Sequence, residues 1–152
     1  MNGRLGGATM TNGLEATALA IFCFESGHLN DPTVPAVRNL NPGNLELPGS
    51  TRDAHGYTIF PDFVSGYAAL LRELWSKFSG NNSHGIGPSS TLLALFNIYA
   101  PPSDNNPTNS YAEFVAGWVT KALGRPITIS SPLSDIWTSP TMPVSLSEVT
   151  SE

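Results

Sequence analysis

A single glutamate, Glu25, closes a largely apolar helical stretch near the N-terminus of this chain. The stretch covers residues 13–25, and a serine and a glycine follow it. Leu14, Ala18 and Ile21 precede Glu25 at helical spacing, so the four side chains share the face of the predicted helix that looks into the core. A carboxyl group at the edge of a core loses hydration, which disfavours its ionised form and raises its pKa. The position of Glu25 therefore predicts a proton donor that works near neutral pH.

A proton donor of this kind suits cleavage of a glycosidic bond, because the leaving oxygen must be protonated as the bond breaks. A second carboxylate would activate water or stabilise the positively charged sugar, and Glu46 and Asp53 are the candidates for that role. Two other acidic residues have simpler structural explanations. Asp62 precedes a predicted helix as its cap, and Glu73 pairs with Lys77 one helical turn later.

Cys23 and the three histidines, His28, His55 and His84, offer a second chemistry, which is peptide hydrolysis by a thiol nucleophile. Cys23 lies late in its helix, however, where the helix dipole disfavours a thiolate, and we interpret it as a small packed residue. His28 is predicted to lie in a loop near the entrance of the site, and the other two histidines in polar turns. No His-x-x-x-His or Cys-x-x-Cys spacing occurs, so no metal site is predicted.

Composition and charge indicate one globular domain with few surface charges. Hydrophobic residues make up 40% of the 152 residues and charged residues 12%, and the formal net charge is −5. A chain of this length buries enough surface to fold without a metal or a disulfide, and one cysteine cannot form an internal disulfide. Lysines and arginines are spread singly, so we expect no binding to nucleic acid. The acidic charge also disfavours tight adhesion to anionic polymers or membranes.

Targeting segments are not predicted within this sequence. No apolar run reaches transmembrane length, and the stretch before Glu25 lacks the basic leader and the cleavage site of a signal peptide. We therefore expect no membrane insertion and no export signal. Residues 1–11 are rich in glycine and are predicted to form a flexible N-terminus.

Helices dominate the predicted elements, with Asn12 as the N-cap of the first helix. After a proline-rich loop over 28–43, the short extended segments 44–47 and 57–60 are predicted to pair as a β-hairpin. Three further helices are predicted, over 63–79, from Ser89 or Ser90 to Tyr99, and over 111–123 behind a capping box of Ser110 and Glu113.

The last predicted helix places Tyr111 in the core, and residues 127–129 are predicted to form a short strand or to lie across the core. Residues 137–152, rich in Ser, Thr and Pro, are predicted to be a disordered tail or linker. The predicted fold class is thus α+β, mainly α, with the folded domain over 12–136.

Three blocks of sequence are distinctive because they occur together in a particular order and spacing. The blocks are Phe24–Gly27 with Arg38–Leu45, then Gly56–Pro61 with Gly66–Leu70, then Asn97–Pro102 with Asn106 and Tyr111. In this arrangement the chain resembles a lysozyme-like domain of phage and bacterial proteins, and it is similar in outline to soluble lytic transglycosylases and goose-type lysozymes. The resemblance covers about residues 15–135.

The resemblance implies a lysozyme-like fold with a small β-hairpin wing, and cleavage of the β-1,4 bond between N-acetylmuramic acid and N-acetylglucosamine in peptidoglycan. It implies that Glu25 is the catalytic acid, that Ser26 helps to shape the site, and that Tyr99 reaches towards the catalytic glutamate. The resemblance also implies that Asn41, Gly43 and Asn44 bind the substrate, because they occupy the place of the family's Gly-Leu-Met-Gln loop beside the cleft. The sequence departs from that pattern here, since Asn-Pro-Gly-Asn replaces it.

Sugar contacts are expected from aromatic faces and hydroxyl groups, which Tyr57, Phe60, Tyr67 and Tyr99 would supply. Families of this type often lack an essential second carboxylate, so Glu46 ranks behind Glu25. After protonation, attack by water would give a lysozyme, whereas attack by the sugar's own C6 hydroxyl would give a lytic transglycosylase.

Two other functions remain open on the same fold, a non-catalytic glycan-binding or phage structural module and a chitinase-like glycosidase. The expected partner is the peptidoglycan glycan strand, bound by a monomer without a cofactor. For action on the bacterial cell wall, the chain would be either a cytoplasmic endolysin released by a partner or part of a longer protein.

Overall fold

The computed structural model describes residues 12–27, 32–80 and 82–137. In these ranges the chain is mainly helical, which agrees with the predicted class. The helices are α1 (Gly13–Ser26), α2 (Pro35–Arg38), α3 (Phe63–Phe78), α4 (Leu92–Tyr99), a short 3₁₀ helix (Pro102–Asp104), α5 (Thr108–Leu123) and α6 (Leu133–Ile136). None of the helices in these ranges is long and apolar enough to cross a membrane.

Two predicted helix starts are confirmed by their side-chain caps. The side chain of Asn12 accepts a hydrogen bond from the backbone N–H of Glu15 at 3.0 Å, and Asp62 accepts one from Ser65 at 2.8 Å. Such bonds satisfy N–H groups that the first turn leaves without helical partners. Gly27 ends α1 with φ 70°, a conformation that glycine adopts at little cost.

The start of α4 is later than predicted. Thr91, rather than Ser89 or Ser90, is the N-cap, and its side chain accepts a hydrogen bond from the N–H of Ala94 at 3.1 Å. The two serines fit a cap by type, but Ser90 instead accepts a bond from Gly87 N–H at 3.0 Å and closes the preceding turn.

The start of α5 is earlier than predicted, at Thr108, so Ser110 and Glu113 form no capping box. Pro107 precedes the first turn, where the N–H that proline lacks would have no helical partner. The hydroxyl of Thr108 donates to the carbonyl oxygen of Ala100 at 2.5 Å, which fastens the start of α5 to the end of α4.

The predicted β-hairpin is not formed, and the described residues contain no β-strand. An isolated antiparallel bridge joins Arg52 to Thr58, and the N–H of Thr58 donates to the carbonyl of Leu45 at 2.8 Å. The side-chain amide of Asn41 donates to the carbonyls of both Leu45 and Thr58, at 3.0 and 2.9 Å. The buried side chain of Asn41 thus joins the two segments, which form no regular ladder of strand hydrogen bonds.

The core is built around α1, which packs against both α3 and α5, while α4 packs against α5. Residues 127–129 form no strand; Ile127 is buried, and the carbonyl of Ile129 accepts a hydrogen bond from Leu93 N–H at 2.9 Å. This segment therefore lies across the core, which is one of the two predicted arrangements.

Trp137 belongs to the packed domain, although the predicted tail begins at this residue. Its side chain is only 2% exposed, and its indole N–H donates to the hydroxyl of Thr17 in α1 at 2.9 Å. The predicted flexible N-terminus, 1–11, and the rest of the predicted tail, 138–152, lie outside the described residues.

Candidate active site

Glu25 lies at the C-terminal end of α1, and both of its carboxyl oxygens accept hydrogen bonds. The hydroxyl of Tyr111 donates to Oε2 at 2.6 Å, and the side-chain amide of Asn44 donates to Oε1 at 2.7 Å. Tyr111 belongs to α5 and Asn44 to the loop after α2. The carboxyl group is therefore held in one orientation by two elements far apart in sequence.

The amphipathic face predicted for α1 explains why Glu25 reaches this position. Leu14, Ala18 and Ile21 are fully buried, and Glu25 continues their face where the helix ends, so that it is only half-buried. A position one turn earlier would place the carboxyl group inside the core. At the end of α1 the group borders both the core and solvent.

Burial raises the pKa of Glu25 above its ordinary value of 4.5. The hydrogen bonds from Tyr111 and Asn44 favour the carboxylate and lower the pKa, but loss of hydration is the larger effect. Glu25 consequently keeps its proton to higher pH than a solvated glutamate would. A carboxylic acid that is protonated and positioned in this way can act as a general acid.

The loop that carries Asn44 has an unusual backbone geometry and is held by hydrogen bonds. The side chain of Asn41 accepts one of them from the N–H of Leu45 at 2.9 Å. Leu40 and Asn44 adopt positive φ angles of 54° and 50°, a conformation that asparagine tolerates better than most residues. The carbonyl of Gly43 accepts a hydrogen bond from the hydroxyl of Tyr99 at 2.7 Å. A side chain at Gly43 would collide with that hydroxyl, since an added Cβ would lie 2.5 Å from it.

A cleft of about 430 Å³ opens beside Glu25. Its lining residues are Glu25, Gly43, Asn44, Glu46, Tyr57, Tyr99, Ala100, Pro101, Asp104 and Asn106. A second cavity of about 320 Å³ shares six of these residues and extends towards Glu73, Lys77 and His84. The two cavities adjoin along these shared residues, and Glu25 lines the first of them.

Six of the predicted site residues line this cleft: Glu25, Gly43, Asn44, Glu46, Tyr57 and Tyr99. Of these, Glu46 is exposed and Tyr57 is half-buried. The pKa of the Tyr57 hydroxyl is raised, first by burial and then by the nearby negative charges of Glu25, Glu46 and Asp53. Tyr57 therefore remains a neutral hydroxyl donor and acceptor at the cleft.

Four predicted site residues lie outside the lining of the cleft. Ser26 is fully buried, with its hydroxyl 3.5 Å from the carbonyl oxygen of Cys23, and Asn41 is fully buried as the organiser of its loop. Phe60 packs against the hydrophobic core. The hydroxyl of Tyr67 lies 3.5 Å from the backbone carbonyl of Glu15. The contacts of these four side chains fasten the fold and do not line the cleft.

Tyr111 makes the contact with Glu25 that the resemblance implied for Tyr99. Tyr99 instead donates to Gly43, and its ring lies edge-on to that of Tyr111, with 6.4 Å between their centroids. Sequence reasoning placed Tyr111 in the core, where its ring does lie, with 1% of the residue exposed. Helical periodicity identified its buried face but gives no information about the partner of its hydroxyl. Its place in the third block of the resemblance was the available signal.

Asp53 is a loop-fastening residue and does not line the cleft. Its carboxylate accepts hydrogen bonds from the side chains of Asn39 and Arg38, at 2.9 and 3.2 Å, and from the backbone N–H groups of His55 and Tyr57. These bonds, the one from Asn39 foremost, lower the pKa of Asp53 to about 2. Asp53 therefore fixes the turn that carries Tyr57. Of the two candidates for a second carboxylate, Glu46 is the one that lines the cleft.

The described residues give little support for thiol chemistry or for a metal site. Burial raises the pKa of the half-buried Cys23 thiol, which disfavours the reactive thiolate. His55 and His84 are exposed, and His28 lies outside the described residues. Within the described part of the chain, no group of three or more His, Cys, Asp or Glu residues could hold a metal ion.

No protein-family model, curated protein or solved structure matches this chain. Its function must therefore be inferred from the chemistry of the site. The main features of that site are a half-buried glutamate, two hydrogen-bond donors that orient it, and a cleft that adjoins a second cavity.

Proposed function

We propose that this protein is a lysozyme-like glycosidase that cleaves the β-1,4 bond between N-acetylmuramic acid and N-acetylglucosamine in peptidoglycan. The observation that carries the proposal is the environment of Glu25. Its carboxyl group has a raised pKa, borders a cleft, and is oriented by Tyr111 and Asn44. These are the properties required of a general acid that protonates a glycosidic oxygen.

In the proposed mechanism, protonated Glu25 donates its proton to the glycosidic oxygen as the bond to C1 breaks. The electron-poor sugar is stabilised by its own acetamido group. Glu25, now a carboxylate, takes a proton from the attacking group, which is either water or the C6 hydroxyl of the same sugar. Tyr111 donates a hydrogen bond that stabilises the carboxylate formed in the first step.

Asn44 can pair with Glu25 in both protonation states. Its amide carries a donor and an acceptor, so a half-turn of the amide lets it donate to a carboxylate or accept from a carboxylic acid. The donor bonds Glu25 at 2.7 Å, while Oδ1 is buried without a hydrogen-bond partner among the described residues. The same side chain can therefore hold Glu25 in place before and after the proton is transferred.

The shape and lining of the cleft favour a sugar chain over a compact apolar ligand. The cleft has the volume of a small-molecule site and continues into a second cavity. Hydroxyl, amide and carboxylate groups occur among its lining residues, including Tyr57, Asn106 and Asp104. Peptidoglycan glycan strands are the proposed partner, with action at the bacterial cell wall.

The test is digestion of purified peptidoglycan, with mass spectrometry of the soluble products. Anhydromuramic ends would identify a lytic transglycosylase, and reducing ends would identify a hydrolase. Chitin oligomers serve as the parallel substrate. Cleavage of chitin oligomers without cleavage of peptidoglycan would make the protein a chitinase-like glycosidase. Tight binding to glycan strands without soluble products would contradict catalysis and favour a glycan-binding module.

A further inference from the structure

Acidic side chains outnumber basic ones in the lining of the cleft and of the adjoining cavity. Lys77 is 9% exposed, lies in the second cavity, and forms an ion pair with Glu73 in which Nζ and Oε2 are 2.7 Å apart. Because this ammonium already has a carboxylate partner, its charge is largely neutralised within the protein. Lys77 therefore contributes little attraction for an anionic ligand.

Glu46 and Asp104 are the carboxylates that remain uncompensated. Both are exposed, and both line the cavity beside Glu25 as well as the second cavity. Neither side chain forms an ion pair or a hydrogen bond within the described part of the chain. They belong to different segments, Glu46 to the loop after α2 and Asp104 to the 3₁₀ helix after α4. Two segments thus bring negative charge to the stretch where the cavities join.

We infer that Glu46 and Asp104 are specificity-determining residues that select glycan strands bearing a primary ammonium group at this stretch of the cleft. The inference rests on the proposed function, because it names the substrate class of the same site. The same charges disfavour strands with extra carboxylates or phosphates at this position. A cleft lined by one sign of charge concentrates the opposite charge and repels its own.

The chemistry of the glycan offers two sources of such an ammonium. One is the amine left on a hexosamine after removal of its N-acetyl group. The other is the side-chain amine of a diamino acid in the peptide carried by the muramic acid. Both present a compact cation that an uncompensated carboxylate can bind.

The size of the effect follows from the exposure of the two carboxylates. Pairs of exposed opposite charges interact weakly in water, so each such pair changes affinity by at most about fivefold. We expect each carboxylate to give about a two- to fivefold preference for the ammonium-bearing strand at low salt. Raising the salt to about 0.5 M should remove most of that preference by screening.

Binding measured on the Glu25→Gln variant tests this inference separately from catalysis. The probes are peptide-free peptidoglycan oligosaccharides, fully N-acetylated or partly de-N-acetylated, compared by calorimetry at about pH 6, where amines are charged. A second pair carries stem peptides with the diamino-acid amine either free or acetylated. The pair that shows the larger difference in Kd identifies the source of the ammonium.

The expected result is tighter binding of the ammonium-bearing probe, with a preference that falls on adding Glu46→Gln or Asp104→Asn. Adding Glu113→Gln changes the net charge equally at an exposed position on α5, outside the cleft, and should leave the preference intact. Equal affinity for both members of each pair, or no binding at all, would overturn the inference. A preference that appears in binding while wild-type protein releases no products would overturn the catalytic part of the proposed function, and the two carboxylates would then select the strands that the cleft binds.

Discussion

The hydroxyl of Tyr111 lies 2.6 Å from Oε2 of Glu25 and donates a hydrogen bond between residues 86 positions apart. The ring of Tyr111 is held by stacking on Phe24, with 3.9 Å between centroids, and by a tilted contact with Phe96 at 4.7 Å. Packing against these neighbours fixes the hydroxyl before any ligand binds. Orientation of the carboxyl group is therefore a property of the folded core.

Tyr111→Phe should raise the pKa of Glu25 further, because it removes a donor that favours the carboxylate. A hydrogen bond to a charged group contributes about 1.5–3 kcal/mol, which corresponds to about one to two pH units. Activity requires protonated Glu25, so the alkaline limb of the kcat/KM profile should move to higher pH. The measurement is the pH profile of product release.

Tyr67→Phe is the matched control for that experiment. Its hydroxyl lies 3.5 Å from the carbonyl of Glu15 and does not line the cleft, so the alkaline limb should stay in place. Equal profiles for the wild type and Tyr111→Phe would show that this hydrogen bond does not control the proton of Glu25.

Asn44→Gly and Asn44→Ala should separate the chemical role of Asn44 from its backbone role. Both remove the amide that contacts Glu25, and we expect both to lower kcat/KM by at least about tenfold. At φ 50°, alanine is strained where glycine is not, so Asn44→Ala should be about 1 kcal/mol less stable than Asn44→Gly. Activity assays and chemical denaturation check the two effects. Full activity in Asn44→Gly would remove Asn44 from the mechanism.

Gly43→Ala should destabilise the protein by about 1–3 kcal/mol, the usual cost of overpacking. Its new Cβ would lie 2.5 Å from the Tyr99 hydroxyl and 2.7 Å from Cδ1 of Leu70, which is fully buried. Gly117→Ala, in open space on α5, should instead stabilise the helix by about 0.5–1 kcal/mol. Thermal unfolding of both variants gives the comparison, and a neutral Gly43→Ala would contradict the tight packing of this loop.

Asp53 should give the fold a dependence on acid pH. Its pKa is lowered from 3.8 to about 2, so its contribution to stability is present above its ordinary pKa and is lost as pH falls towards 2. Asp53→Asn should therefore be less stable than wild type at neutral pH, with a difference that shrinks between these two values. Denaturation at a series of pH values measures it, with Asp135→Asn as the exposed control. A difference that stays constant with pH would show that the carboxylate charge is not what fastens the loop.

The sequence was a good guide where one helix face decides the outcome. The periodicity of α1 placed Leu14 and Ile21 in the core and Glu25 at its edge, and capping residues located the starts of α1 and α3. It was a poorer guide where polar side chains compete for backbone groups. Asparagine is a residue type common in loops, and its type alone does not show that Asn41 organises the segment where the hairpin was predicted.

Side chains that meet across the fold could not be paired from local patterns. Tyr99 and Tyr111 are both aromatic residues on helices, and only tertiary packing decides which hydroxyl reaches Glu25. The same holds for Trp137, whose surrounding Ser, Thr and Pro residues predicted a tail, although its indole packs against α1.

The most direct measurement is product release from purified peptidoglycan by the wild type and by Glu25→Gln, with Glu113→Gln as a charge-matched control. Glutamine keeps the size of the side chain and can still accept the hydrogen bond from Tyr111, so the fold should survive, as circular dichroism would check. We expect wild type and Glu113→Gln to release the same products at similar rates, and Glu25→Gln to lose at least about a hundredfold in rate. Undiminished release by a folded Glu25→Gln variant would contradict the assignment of Glu25 as the general acid.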